Sequence, residues 1–174
     1  MKQRIYTIPF VGLKEGKYQF KYEIDKKFFE VYQYEDITDA AVKVQLNFIK
    51  KSTLLELNFK AKGTVKVACD LTNELFDQPI KAKLNIIVKF GETYNDEDEE
   101  ILILPHDAYE IDVAQYLYEM IVLALPSKRI HPGIKDGTLK SDILDKLKEL
   151  EPKEKTNNTS SASDPRWDKL KELL

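Results

Sequence analysis

The first half of the chain alternates apolar and polar residues with a period of two, the pattern of a strand with one buried face. In the segment IKAKLNIIVKF, residues 80–90, nearly every second side chain is apolar, and those between are mostly Lys or Asn. Four other segments repeat the alternation: YQFKYEI, AVKVQLNF, LELNFKA and VKVACDL. Five such segments predict an antiparallel sheet with one buried and one wet face. Short apolar runs at 4–8 and 101–104 are further strand candidates, so we expect five to seven strands in a strongly curved sheet.

Helical spacing is confined to a few stretches of the chain. The main candidate is IDVAQYLYEMIVLAL, residues 111–125, with Asp112 as the predicted N-cap and a proline directly after its end. A shorter helix is predicted from about Asp25, and a weaker amphipathic one from Ser141. With the main helix covering the apolar side of the sheet, the pattern predicts an α+β fold in a single domain of residues 1–150.

The C-terminal end of the chain differs from the rest in composition. Residues 151–163 are polar, which predicts a flexible linker with an average span of roughly 20 Å. Residues 164–174 begin with an Asp-Pro pair, a strong start signal for a short amphipathic helix. Because two helical turns are not stable alone in water, this helix must dock on the chain's own sheet or on a partner, or stay disordered. The docking candidates are Pro165, Arg166, Trp167 and Leu170.

Composition is compatible with one compact domain plus tails. The chain has 174 residues, of which 43% are hydrophobic, so it can bury a sizeable core. No apolar run approaches the length of a membrane span, and the opening MKQRIYTIPF lacks the apolar stretch and cleavage site of a secretory signal. The single Cys69 cannot form an internal disulfide. From these features we expect a cytoplasmic protein.

Charge is distributed unevenly along the chain, although the net charge is only -3. Residues 40–91 carry nine Lys against four acids, whereas residues 92–112 carry nine acids and no Lys or Arg. Lysines on the wet sheet face could contact the phosphates of RNA, or could simply keep the sheet soluble and block edge pairing. The acidic stretch lacks the spacing of a calcium loop and is interpreted as a solvated loop. The RNA-binding candidates are Lys43, Lys60, Lys66, Lys81, Lys83 and Lys89.

Candidate catalytic chemistry is sparse. The sequence has no glycine-rich phosphate loop and no HExxH zinc motif. Its two histidines, His106 and His131, are both expected near turns, and neither has an evident nucleophile beside it. Cys69 alternates with apolar residues and is interpreted as a small buried hydrophobic residue. No enzymatic activity, cofactor or small-molecule substrate is therefore expected.

Four segments together resemble one known family. They are KGTVKVACDLTNELFDQPI, KAKLNIIVKFGE, EIDVAQYLYEMIVLALPSKRIHP and the terminal DPRWDKLKEL, and they extend from about Gly12 to the end of the chain. In this order they are similar to the YceD family of large ribosomal RNA subunit accumulation proteins. The resemblance implies a bacterial cytosolic factor needed for normal levels of 23S ribosomal RNA, without enzymatic activity.

The chain departs from the family pattern at one motif. The family commonly has Cys-x-x-Cys where this sequence has CDLT, and further Cys near the LALP segment. Such cysteines would suit a structural zinc ion. Here Thr72 replaces the second Cys and only His131 follows the LALP segment, so we predict no bound metal. Leu71 also replaces an Arg that is frequent inside the family motif.

Two functional hypotheses follow from these observations. The first is a non-catalytic factor in ribosomal RNA accumulation and ribosome assembly that binds precursor RNA, a ribosomal protein, or both. In it the basic sheet face is the RNA candidate, and the acidic loop either meets a basic ribosomal protein or masks the basic face. The second is an adaptor that binds only protein and affects RNA levels indirectly. An RNA-binding assay at two salt concentrations distinguishes them.

Overall fold

The computed structural model describes residues 4–98 and 100–150. Contacts divide the chain into a unit of Met1–Lys140 and a second unit that begins at Ser141. The predicted linker 151–163, the predicted terminal helix 164–174 and its docking candidates lie outside the described residues, and the predicted domain of residues 1–150 stays a prediction. The strands are β1 Thr7–Pro9, β2 Gly16–Ile24, β3 Asp39–Lys50, β4 Leu54–Ala68, β5 Leu75–Gly91, β6 Ile101–Pro105 and β7 Glu110–Asp112. The helices are α1 Lys26–Val31, α2 Ala114–Leu123, α3 Pro132–Lys135 and α4 Asp142–Leu150.

The main sheet has five strands in the order β2-β3-β4-β5-β6, and β1 pairs with β7 in a separate two-stranded sheet. Strands β2 to β5 form an antiparallel meander in which side chains alternate between a buried and a solvent face. The predicted α+β class and the number of strands are confirmed.

Two of the predicted strand segments are one strand. LELNFKA and VKVACDL are joined through Gly63 in β4, because the apolar alternation continues across the glycine without a change of phase. A Cβ atom at Gly63 would overlap the carbonyl oxygen of Ala41 and lie 2.6 Å from the Cα of Val42. The glycine therefore does not mark a turn; it permits the close approach of β3.

The sheet is mixed, so the expectation of a purely antiparallel sheet is wrong at β6. This strand runs parallel to β5, with Ile87 opposite Ile101. The loop between them passes beyond the outer edge of β6, where the backbone of Asn95 exchanges two hydrogen bonds with that of Ile103, at 3.0 and 2.7 Å. Because the chain then returns to the start of β6, the strand runs in the same direction as β5.

The main helix is shorter than predicted. Residues 110–112 extend as β7 and pair with β1, so α2 begins at Ala114 instead of residue 111. Asp112 still contributes to the helix start, because its Oδ1 accepts a hydrogen bond from the backbone N–H of Ala114 at 3.0 Å. At the N-terminal end, only the last part of the strand candidate 4–8 is extended, and Arg4–Tyr6 forms a 3-10 turn.

The two shorter helices predicted within the described residues are present. Helix α1 begins where predicted, and Asp25 caps it, with its Oδ1 accepting from the backbone N–H of Phe28 at 3.3 Å. Helix α4 follows Ser141, whose carbonyl oxygen accepts from the backbone N–H groups of Leu144 and Asp145. Helix α4 belongs to the second unit.

The core of the first unit fills the apolar side of the main sheet, with α1 and α2 packed against it. Most predicted inward positions of the strands are buried or half-buried, as are Phe28 and Phe29 of α1, whereas Leu71 is exposed. Cys69 is buried among them, as predicted. Several side chains are completely excluded from solvent: Leu46, Phe48, Leu55, Leu57, Val67, Val88, Leu117 and Ile121. This burial leaves the opposite face of the sheet free to carry the polar residues.

Candidate nucleic-acid interface

The solvent face of the main sheet carries two adjacent rows of basic residues. Read from β2 to β5, the first row is Lys21, Gln45, Lys60 and Lys83. The second row is Glu23, Lys43, Lys62 and Lys81. Directly opposite residues on neighbouring strands have Cβ atoms about 5 Å apart, so the positive charges converge on one part of the face. We call the lysines of these rows the six-lysine patch: Lys21, Lys43, Lys60, Lys62, Lys81 and Lys83.

All members of the six-lysine patch are exposed. Among the residues that the structure describes, none of them forms a salt bridge. Glu23 is the single acid within the two rows. Like charges at this spacing repel one another, so the patch holds a positive potential that an anionic ligand would relieve.

A row of amides borders the patch on the side toward the β3–β4 turn. Its members are Gln19, Asn47, Asn58 and Asn85, one from each strand of the meander. The amide of Gln19 donates to the Oδ1 of Asn47 at 3.3 Å. Because amides both donate and accept hydrogen bonds, this row can meet sugar hydroxyls or base edges beside the phosphates that lysines attract.

The sequence-predicted lysines all lie on this face, but not all lie in the patch. Lys43, Lys60, Lys81 and Lys83 are brought together by the register. Lys66 is four residues beyond Lys62 along β4, about 13 Å away, and stands opposite Asp39 and Asp77. Its position between two carboxylates makes it a poor phosphate ligand. Lys89 is separated from Lys83 by about 20 Å of strand and faces Leu54 and Ile103.

Two patch members, Lys21 and Lys62, were not among the sequence candidates. Lys62 lies between the segments LELNFKA and VKVACDL, which were predicted as separate strands, and it belongs to neither segment. Continuing the alternation through the glycine would have found it. Lys21 is on a segment whose polar positions were visible, but its neighbours depend on the pairing of β2 with β3, which the alternation does not specify.

A second feature of the first unit is the junction between the CDLT motif and the segment after the LALP motif. The Sγ of Cys69 accepts a hydrogen bond from the backbone N–H of His131 at 3.3 Å, and Thr72 is 4% exposed beside it. Burial alone would raise the pKa of the Cys69 thiol. Hydrogen bonds from the Thr72 hydroxyl and from nearby backbone N–H groups outweigh it and lower that pKa.

His131 at this junction is already engaged. Its Nδ1 accepts from the backbone N–H of Gly133 at 3.0 Å, and its ring packs edge-on against Phe76. Across residues 4–98 and 100–150, no three His, Cys, Asp or Glu side chains cluster in a way that could hold a metal ion. His106, in contrast, lies exposed in the turn after β6.

Arg129 connects the two segments of the junction. Its backbone N–H donates to the Oδ2 of Asp70 at 2.6 Å, and the backbone N–H of Asp70 donates to the Arg129 carbonyl oxygen at 2.8 Å. Its guanidinium contacts Asp70 at 3.2 Å and Asp36 at 3.1 Å. Partial burial would lower the pKa of this guanidinium, but the two carboxylates raise it. Hydrogen bonds and an ion pair thus join the CDLT motif directly to the segment after the LALP motif.

Replacing Arg129 with Ala is expected to lower the free energy of unfolding by about 1 kcal/mol, because the backbone hydrogen bonds survive while two part-exposed ion pairs are lost. Urea unfolding followed by circular dichroism measures the change. Lys128→Ala is the control, since this neighbouring side chain is exposed and has no ion pair in the described part of the chain. Equal stabilities of the two variants would contradict a clamping role.

Comparison with known proteins gives one finding. The model of a family described as large ribosomal RNA subunit accumulation protein YceD matches residues 57–174, about two thirds of the chain. The matched range includes the junction and the four patch lysines on β4 and β5. No curated protein and no solved structure gives a significant match. No helix in the described ranges is long and apolar enough to cross a membrane.

Proposed function

This chain belongs to the YceD family of large ribosomal RNA subunit accumulation proteins, and on that premise we propose that it binds precursor ribosomal RNA directly through the six-lysine patch. The observation that carries the proposal is the register of the meander. It gathers six exposed lysines in two adjacent rows, with a single acid among them. Ribosomal RNA is the polyanion named in the description of the family, so it is the proposed ligand of the patch.

The proposed mode of binding is by charge and shape. Lysine ammonium groups attract backbone phosphates without reading sequence, because each phosphate presents the same oxygens. The amide row beside the patch adds hydrogen bonds to 2′-hydroxyls or to unstacked bases. The solvent face has no exposed aromatic residue among its central rows, so base stacking contributes little to this mode. We therefore propose low sequence specificity and a preference for RNA over DNA.

The affinity for RNA is expected to fall steeply with salt. If four to six phosphates are contacted, a plot of the logarithm of the association constant against the logarithm of the salt concentration has a slope of about -3 to -4. Between about 50 and 200 mM salt this is a loss of roughly 60- to 250-fold. Fluorescence anisotropy of a labelled single-stranded RNA of about 20 nucleotides measures the slope.

The matched DNA strand is the control, since it has the same phosphates without the 2′-hydroxyl. A weaker affinity for DNA with an equal slope supports the amide row as a reader of the sugar. Absence of RNA binding at the lowest salt, or an affinity that salt does not change, would contradict direct binding by the patch.

We further propose that the protein acts without catalysis, because Cys69 is buried and the adjacent His131 uses its Nδ1 to accept from the Gly133 backbone N–H. The second candidate function is the protein-only adaptor. It is supported by the acidic loop of residues 92–100, which suits a basic protein partner. In that case RNA fails to bind in the anisotropy assay while large-subunit proteins still co-purify with the chain. The terminal candidates Pro165, Arg166, Trp167 and Leu170 remain proposed docking residues, either for the chain's own sheet or for a ribosomal partner.

A further inference from the structure

Part of the outer edge of β5 is open. Strand β6 pairs only with residues 87–91, and no described residue pairs with that edge from Lys81 to Ile86. The backbone N–H of Ile87 donates to the Glu100 carbonyl oxygen, on the side of β6. Because alternate residues direct their backbone groups to the same edge, Lys81, Lys83 and Asn85 present N–H and C=O groups there without a strand to receive them.

The neighbouring Pro79 supports this assignment of the edge. It has the same phase as Lys81 and pairs with Thr64 of β4 without interrupting the ladder. Since proline has no N–H, it fits only where that N–H would point away from β4. Pro79 also ends the stretch that could accept another strand, which leaves the six residues from Lys81 to Ile86 for pairing.

A groove lies along this open edge. It has a volume of about 550 Å³ and runs between β5 and α2. Its floor is apolar, with Leu84, Leu102, Met120 and Leu123 among the lining residues. Leu123 is 83% exposed, although α2 turns it toward the groove. An apolar floor beside unpaired backbone groups is the arrangement by which proteins bind extended peptides as an added strand.

The rim of the groove is acidic. Asp96, Glu97, Asp98 and Glu119 line it, against only two lysines from the strand edge itself. The loop that supplies three of these acids is held in place, because Asp98 accepts hydrogen bonds from the backbone N–H groups of Glu100 and Ile101. Four carboxylates around an apolar floor favour a ligand that combines cationic and aliphatic side chains.

We propose that the open edge of β5 binds an extended basic polypeptide segment, which adds as a sixth strand to the main sheet. Its backbone pairs with Lys81, Lys83 and Asn85. Its aliphatic side chains enter the groove, and its Lys or Arg side chains meet the acidic rim. This site shares Lys81 and Lys83 with the six-lysine patch but uses their backbone groups instead of their side chains. It goes beyond the proposed RNA binding, so either can fail without the other.

The test uses the full chain and a synthetic peptide of about twelve residues that alternates Val with Arg. Binding is expected to slow hydrogen exchange of the Lys81, Lys83 and Asn85 amides by at least about tenfold, as measured by NMR. A peptide with Glu in place of Arg tests the charge. A peptide of the same composition, with its valines and arginines in two blocks, tests the alternation. Neither control is expected to protect these amides.

Two sets of variants test the site itself. Asn85→Pro removes one edge N–H at a position of the same phase as Pro79. It is expected to lower the affinity for the peptide at least about tenfold. The double variant Glu97→Lys, Glu119→Lys leaves the backbone intact. It is expected to weaken peptide binding by a similar factor at low salt. The control pair is Glu92→Lys with Asp107→Lys, which makes the same charge change at exposed positions outside the groove.

Three results would overturn the proposal. The first is peptide binding that leaves the three amides unprotected. The second is equal binding of the Arg and Glu peptides. The third is protection of these amides in the protein alone, because the edge would then be occupied by the chain's own segment or by a second copy. The charge variants keep the test valid if Asn85→Pro does not fold.

Discussion

Replacing Lys60, Lys62, Lys81 and Lys83 together with Glu is expected to weaken RNA binding by at least about 1,000-fold near 100 mM salt. These lysines are neighbours on β4 and β5, which carry four of the six patch members. Losing a phosphate contact at each, at about 1 kcal/mol per contact, amounts to about 4 kcal/mol before the added repulsion is counted. The salt dependence of any remaining binding is expected to become nearly flat. Anisotropy with the same labelled RNA measures both quantities.

A variant with the same change in net charge separates the patch from the protein as a whole. Lys27, Lys128, Lys135 and Lys140 are exposed and lie outside the main sheet. Changing these four to Glu is expected to weaken binding by no more than about tenfold, through long-range charge alone. Equal losses in the two quadruple variants would mean that total charge, and not the patch, governs affinity. Thermal unfolding of both variants checks that the fold is retained.

Gly63→Ala is expected to lower the free energy of unfolding by about 3 kcal/mol, and Tm by roughly 10 °C. The added methyl group would overlap the Ala41 carbonyl oxygen and crowd the Cα of Val42, which are backbone atoms of a neighbouring strand. Backbone in the middle of a paired strand cannot rotate away as a side chain can. The alternative to the clash is therefore a separation of β3 from β4. Differential scanning calorimetry measures the change.

Gly12→Ala is the matched control for this prediction. No atom lies within 4 Å of a Cβ placed at Gly12, so the same chemical change meets open space. The control is expected to be neutral or slightly stabilising, because alanine restricts the unfolded chain. If Gly63→Ala were as stable as Gly12→Ala, the close approach of β3 would not be needed for the fold.

Much of the fold could be predicted because burial imposes a period. A strand with one face against the core must place apolar residues at every second position, and this alternation is visible in the sequences of β2 to β5. The cap at Asp25 likewise depends only on nearby residues, because its side chain bonds the backbone N–H of Phe28 in the first turn of the helix. The start of α2 was not local. Residues 110–112 are extended because β1, about 100 residues earlier, pairs with them.

The candidate site was predictable only in part, for the same reason. Alternation assigns a lysine to the wet face, but it does not say which lysine on another strand stands beside it. Lys89 and Lys83 are equivalent in the sequence pattern of β5. Only the pairing with β4 places Lys83 beside Lys60, and Lys89 beside Leu54. The open edge at Lys81–Ile86 depends on how far β6 extends, which the short run ILIL does not reveal.

The sequence alone therefore determined which side chains face water, the α+β class and the family, because these depend on local periodicity and on motifs within short segments. The tertiary structure decided which lysines form one patch, where a sheet edge stays open and how Arg129 joins the CDLT motif to the segment after LALP. These features depend on register and on contacts between distant segments. Register is set by the packing of whole strands, and no short stretch of sequence contains it.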